Sequence, residues 1–189
     1  MKAGLLTFYH LHHYGAILQA AATQRALETL GWECETIDYF VNQDTRIFRP
    51  AASPSLAASD AYNALHYPAV RRRWQRFEDF SRSFLRLTDR RYESREELRR
   101  AELPYDLLVS GSDQIWNPTI FPDRRFDPVF FGAFSPLRKI AYAPSFGVAR
   151  LPEGMEEELK GCLEGFSHLS VREVSGREIV QEASGREAE

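Results

Sequence analysis

With 189 residues, 43% of them hydrophobic, the chain is long enough to bury one good core, and a formal net charge of −3 argues against a generic nucleic-acid binder. No apolar run approaches the roughly 20 residues that a membrane span requires. The two cysteines, Cys34 and Cys162, are too few for a disulfide framework and wrongly spaced for a structural zinc site, and buried free thiols suit a reducing cytoplasm.

The opening MKAGLLTFYH carries one lysine and no small-residue cleavage site, so residues 2–9 read as a first strand and not as a secretion signal. Tyr14 to Leu30 places Ile17, Ala20, Ala21, Leu27 and Leu30 at helical spacing, with Gly31 as the stop. Residues 33–39 form a second strand. Strand, helix and strand within about 40 residues make a βαβ unit, which predicts a parallel sheet with right-handed crossovers. Residues 41–59, with Pro50 and Pro54, are predicted to be an irregular insertion. A helical segment follows over 60–102, broken near Pro68, with Trp74, Phe77, Phe80 and Phe84 as a packing stripe and a Ser94–Glu97 capping box opening its last piece. A buried strand at 106–110 comes next, then β-prone runs at 129–134 and 138–144. The chain closes with a helix at 153–165 carrying Cys162 on its apolar face, a short strand at 168–172, and a helix opened by Ser175 and Glu178. That last helix leaves one sheet edge without its covering. The expectation is therefore an N-terminal part of something longer, or completion by another chain, either an absent C-terminal domain or a second copy.

Three loops carry chemistry, and each follows a strand, where α/β proteins bind ligands. The first, His10 to Gly15, runs into a helix N-terminus, a ready anion site, with His13, Tyr14 and Gly15 as the candidate contacts. H-x-H-H with no carboxylate or cysteine beside it does not make a metal site. The second is the richest: DLLVSGSDQIWNP breaks from an apolar run into Gly111, Ser112, Asp113, Gln114, Trp116 and Asn117. Gly111 allows close backbone approach, Ser112 and Asp113 bring hydrogen-bonding groups, and Trp116 brings a flat apolar wall. The same residues also fit a cap and a core tryptophan. The third holds Ser145 and Gly147, which would meet a ligand by hydroxyl and backbone, although no G-x-S-x-G elbow surrounds the serine. Arg172 is an anion anchor or one half of an ion pair with Glu173. Neither G-x-G-x-x-G nor a P-loop is present.

Residues 71–100 hold eleven arginines against six acids. Two readings stand side by side: an exposed helical face laced with Arg–Glu and Arg–Asp pairs, and a patch that attracts an anionic substrate or lipid carrier.

Four blocks converge on one family. HHYGAILQAAATQRALETLGWECETIDY resembles the opening of the polysaccharide pyruvyl transferase family, with its N-Y-G-A-x-L-Q-A helix and a second strand ending in I-D-Y. DLLVSGSDQIWNP is similar to its G-S-D-Q-x-W-N block, KIAYAPSFG to its S-Y-A-x-S-F-G block, and HLSVREVSGREIVQ to its S-x-R-E-x-S-G block. This chain departs at His13, where the family often has asparagine, and at Ile140-Ala141, where it often has serine before the Tyr-Ala pair.

The resemblance implies an α/β fold, a three-layer Rossmann-like parallel sheet forming the N-terminal half of a GT-B-like architecture, with residues 1–189 as that first domain. It implies pyruvate transfer from phosphoenolpyruvate (PEP) to two hydroxyls of a cell-surface polysaccharide or its lipid-linked precursor, giving a ketal. PEP is then a substrate, and no metal or other cofactor is required. Asp113 becomes the candidate base or acceptor-sugar ligand, Trp116 a stacking surface, and Gln114 and Asn117 partners of sugar hydroxyls. The setting would be cytoplasmic, at the inner face of the membrane, with peripheral contact through residues 71–100 and with no nucleic-acid partner. The rival readings are a GT-B nucleotide-sugar glycosyltransferase and a non-catalytic binding or assembly module.

Overall fold

A computed structural model of the protein describes residues 1–10, 13–40, 54–121 and 123–189. The predicted His12, and residues 41–53 of the predicted insertion, lie outside the described residues. Five strands, β1 (Lys2–Leu6), β2 (Glu33–Thr36), β3 (Leu107–Ser110), β4 (Lys139–Ala141) and β5 (Phe166–Leu169), form one all-parallel sheet in the order β2-β1-β3-β4-β5. The helices are α1 (Tyr14–Thr29), α2 (Pro54–Leu65), α3 (Tyr67–Phe84), α4 (Arg95–Arg100), α5 (Glu156–Leu163) and α6 (Val174–Ser184). The sheet and its flanking helices make the predicted Rossmann-like α/β architecture.

Alternation along the strands builds the layers. Leu6, Leu108, Ala141 and Leu169 face a large core with Phe130, Phe131, Phe146, Leu159 and Val180. Ala3, Leu5, Leu107 and Val109 face a smaller one with Cys34, Leu27 and Trp32. Register then fixes the working edge. Leu6, Ser110, Ala141 and Leu169 pair in one row across the sheet. The segments leaving β1, β3, β4 and β5 therefore all depart at the same level.

Several boundaries differ from the sequence reading for local reasons. The strand expected at 129–134 is a 3-10 turn at Pro128–Phe131, opened by Asp127, whose Oδ1 accepts from Val129 N at 2.9 Å. Helix α2 begins at Pro54, so residues 54–59 of the predicted insertion are helical, and the expected break near Pro68 falls at His66 with the proline in the first turn of α3. Ser94 caps α4 as expected, accepting from Glu97 N at 3.2 Å. Ser175, expected to cap the last helix, lies inside its first turn, and Glu173 is the N-cap residue. In the α3 stripe Phe77 is buried, but Phe84 is 52% exposed. Beyond β5, Glu189 N donates to Leu169 O (3.0 Å) and Val171 N to Glu189 O (2.9 Å), a parallel pairing along the sheet edge.

Candidate functional site

In the order 2-1-3-4-5 the chain leaves β1 toward β2 on one side and returns to β3 on the other, so the topological switch point lies between β1 and β3. Open α/β sheets bind ligands outside the carboxyl ends of the strands at such a point. Here the segments after β1 and β3 are tied together, with Thr7 Oγ1 donating to Ser112 O at 3.0 Å. Gln19 of α1 donates to Thr7 Oγ1 at 2.7 Å and to Phe8 O at 3.3 Å, which fixes its amide orientation. Its Oε1 is buried and has no protein partner among the described residues.

The loop after β3 is shaped by backbone constraints. Gly111 has φ +122, and a Cβ placed there would lie 2.1 Å from the Tyr142 carbonyl oxygen. Only glycine lets this backbone approach the β4 loop so closely. Asp113 also adopts a positive φ of 76. Its Oδ1 accepts from Gln114 N at 2.8 Å, while Oδ2 has no protein partner among the described residues. The half-buried Asp113 carboxylate is thus oriented by one oxygen and open at the other.

A hydrogen-bonded seam joins the loops after β3, β4 and β5. Ser112 Oγ donates to Ala143 O (2.8 Å), Ser145 N to Asp113 O (2.8 Å) and Arg172 N to Pro144 O (3.2 Å). At its far end Glu173 Oε1 accepts from Ser145 Oγ (3.0 Å), Phe146 N (2.8 Å) and Gly147 N (3.3 Å). One carboxylate oxygen so organises the whole third loop. Its partner Oε2 is 3.9 Å from Arg172 Nε, a loose pair that leaves the guanidinium half exposed.

Gly111, Ser112, Asp113, Gln114, Asn117, Ser145 and Gly147 are brought together, but their roles divide. Trp116, expected as a sugar-stacking wall, is 0% exposed, stacked on Phe131 at 4.7 Å and edge-on to Phe166 at 5.6 Å. It is core, because its indole completes the aromatic cluster under the loop. Asn117, expected to bond a sugar, is buried: its amide donates to Gln114 Oε1 (3.0 Å) and its Oδ1 accepts from Thr119 N (2.9 Å), opening the 3-10 turn Pro118–Ile120. Ser145 and Gly147, expected to meet a ligand, have their hydroxyl and N–H occupied by Glu173 and by each other. Gly147 also has φ +63, and a Cβ would lie 2.4 Å from Asn117 Nδ2. These four residues hold the loops in place. Asp113, the amide nitrogen of Gln114 and Arg172 retain groups without close protein partners among the described residues.

The first loop stands apart. His13 is the N-cap of α1, with Nδ1 accepting from Ala16 N at 3.4 Å. Tyr14 is exposed, with its ring 4.5 Å from that of Phe77, and Gly15 is exposed. No hydrogen bond links these three to residues 111–117 among the described residues. On the other flank Tyr9 donates to Asp38, and Arg91 Nε donates to Asp38 Oδ1 at 3.1 Å. Burial first, and then the Asp38 carboxylate, push the Tyr9 phenol far above its usual range. This cluster is structural, and it takes one arginine from the rich segment. A wide trough of about 1290 Å³ runs along β4, β5 and α6, but no residue of the 7–13 or 111–117 segments lines it. The switch point, not the trough, gathers the oriented polar groups.

Thr7 and Gln19 escaped the sequence reading, and Glu173 entered it only as a possible partner of Arg172. Gln19 sits in the ILQA run and Glu173 in the VRE run, both inside quoted blocks, so only their partners were hidden. Fold and site together define a Rossmann-like α/β domain with oriented polar groups gathered at a β1/β3 switch point. A family model described as polysaccharide pyruvyl transferase matches residues 13–189, and the chain belongs to that family. Neither the curated proteins nor the solved structures contained a match.

Proposed function

We propose that the protein acts in the transfer of pyruvate from PEP to hydroxyls of a cell-surface polysaccharide or its precursor, forming a ketal. Family membership supports pyruvyl transfer in general. The observation that carries the finer reading is Asp113, oriented at the switch point by Gln114 N with its second oxygen open. An oriented carboxylate is suited to take the proton of a sugar hydroxyl as the oxygen attacks.

The balance of the reaction sets what else is needed. A proton adds to the methylene carbon of PEP, and two sugar oxygens bond to its central carbon. The bond from that carbon to the phosphate oxygen breaks, and inorganic phosphate leaves. One hydroxyl proton in effect replaces that taken up at the methylene, and the other departs with phosphate. Cationic groups must hold the carboxylate and phosphate. Arg172, half exposed in the segment after β5, is the candidate anion anchor beside the switch-point loops among the described residues. In this reading the domain is one wall of a GT-B-like cleft, and the facing wall supplies the remaining cations.

Calorimetric titration of the chain with PEP, with UDP-glucose as comparison, tests the reading. Saturable PEP binding supports a donor site in this domain. Binding of UDP-glucose alone would instead support a glycosyltransferase, and silence toward both would remove the donor from this wall. In a transfer assay read by phosphate release, Asp113→Asn should lower the rate by roughly 10²–10⁴-fold, the usual scale for a lost general base. Full activity would end the base role.

A further inference from the structure

The arginine-rich segment is not uniform. Between Arg82 and Arg91 the pairing reading holds: Arg82 lies 4.0 Å from Glu78, Arg86 3.6 Å from Glu33, Arg90 3.7 Å from Glu97, and Arg91 3.1 Å from Asp38. On α4, Arg99 and Arg100 are exposed and make no ion pair among the described residues. Arg71, Arg72, Arg73 and Arg76 are exposed and make no ion pair among the described residues. α3 has no acid in its first turn to pair with them. Stability of the fold does not explain their presence.

Their position is informative. The Phe77 ring meets Tyr14 at the start of α1, and Gln24, ten residues further along α1, bonds the backbone N and O of Arg86 at 2.9 Å. The helix therefore runs alongside α1 in the same direction. Its turns before Phe77 extend roughly 15 Å past the N-terminus of α1, at the rise of 1.5 Å per residue. That overhang lies beyond the carboxyl edge of the sheet, the edge that carries the switch point. At the α2–α3 corner Tyr62 is 61% exposed and Leu65 78%. Tyr67, Pro68, Arg71, Arg72 and Gln75 line a shallow concavity of about 400 Å³. Exposed tyrosine and leucine beside unpaired arginines is the composition of an interfacial anchor: the rings and the aliphatic chain enter the headgroup layer, and the guanidiniums bind its phosphates.

We propose that the first half of α3 and the α2–α3 corner dock on an anionic phospholipid bilayer, with lipid phosphate seated between Arg71, Arg72 and Tyr67. This geometry turns the carboxyl edge of the sheet toward a membrane surface. It stands independently of the pyruvyl-transfer reading, since it concerns binding without any substrate.

Co-sedimentation of the chain with vesicles of equimolar phosphatidylglycerol and phosphatidylcholine, against phosphatidylcholine alone, tests it. Binding should appear only with the anionic vesicles and weaken as sodium chloride rises. The quadruple variant Arg71→Gln, Arg72→Gln, Arg73→Gln, Arg76→Gln should lose it by roughly tenfold or more, the scale of several interfacial basic residues. Arg99→Gln with Arg100→Gln, equally exposed but on α4, should leave it unchanged. No binding to anionic vesicles, equal loss in both variants, or capture of RNA in place of vesicles would overturn the proposal.

Discussion

The loops at the carboxyl edge and the first half of α3 both gather polar or charged groups, and they handle that polarity in opposite ways. In the loops nearly every polar group has a protein partner, down to a glutamate that accepts three hydrogen bonds on one oxygen. On α3 four guanidiniums have none among the described residues. Density of polar residues therefore does not locate binding. The groups left open are the candidates in the reading proposed here: Asp113 Oδ2 and Arg172 at one region, Arg71 to Arg76 at the other.

The contrast can be broken most forcefully at Trp116. If it is core, Trp116→Ala should cost about 3–5 kcal/mol of folding stability, the range for a deleted buried aromatic, read by chemical denaturation. A sugar-stacking surface would cost little stability and only binding. Gly111→Ala comes next, at about 2–4 kcal/mol, because it combines a backbone clash with a left-handed conformation. Unchanged stability there would mean that the β3 and β4 loops are not locked together. Glu173→Ala should cost about 1–3 kcal/mol by leaving the Ser145 hydroxyl and two N–H groups short of their acceptor, and amide exchange at Phe146 and Gly147 should quicken with it.

On α3 the expected stability effect is close to nil. The four arginine-to-glutamine changes should move the unfolding free energy by less than about 0.5 kcal/mol, while vesicle binding falls. A large destabilisation would show that these arginines are structural after all. A last effect is absent at neutral pH and emerges only in alkali. Burial, followed by Glu28 and Glu35, pushes the Cys34 thiol up to about 12 from an ordinary 9.0. Above pH 9 the unfolded chain therefore loses this proton before the folded one, and stability falls as pH rises toward 12. Cys34→Ala should flatten that part of the pH profile.

Much of the fold was legible because periodicity and connection length determine it. The βαβ start, the helix at Tyr14–Thr29 and the strand at Leu107–Ser110 follow from apolar spacing and glycine stops. The misread pieces are those in which a side chain outside the pattern decides. Asp127 turned a β-prone run into a 3-10 turn, and Glu173, its carboxylate held by the third loop, stands at the N-cap position expected of Ser175 without a side-chain cap bond. At the site, sequence located the loops but not the division of labour within them. Trp116 and Asn117 have residue types that suit sugars as well as they suit a core and a cap. Only packing against Phe131 and the bond to Thr119 separates the two uses.

The central claim is that the β1/β3 switch point is where this protein meets its substrate. Amide chemical-shift mapping during addition of PEP tests it directly. The account predicts shifts at Thr7, Gly111 to Gln114 and Arg172. Shifts confined to Ser167–Ser170 and Arg177 in the trough beside β5, or none at all, would contradict it.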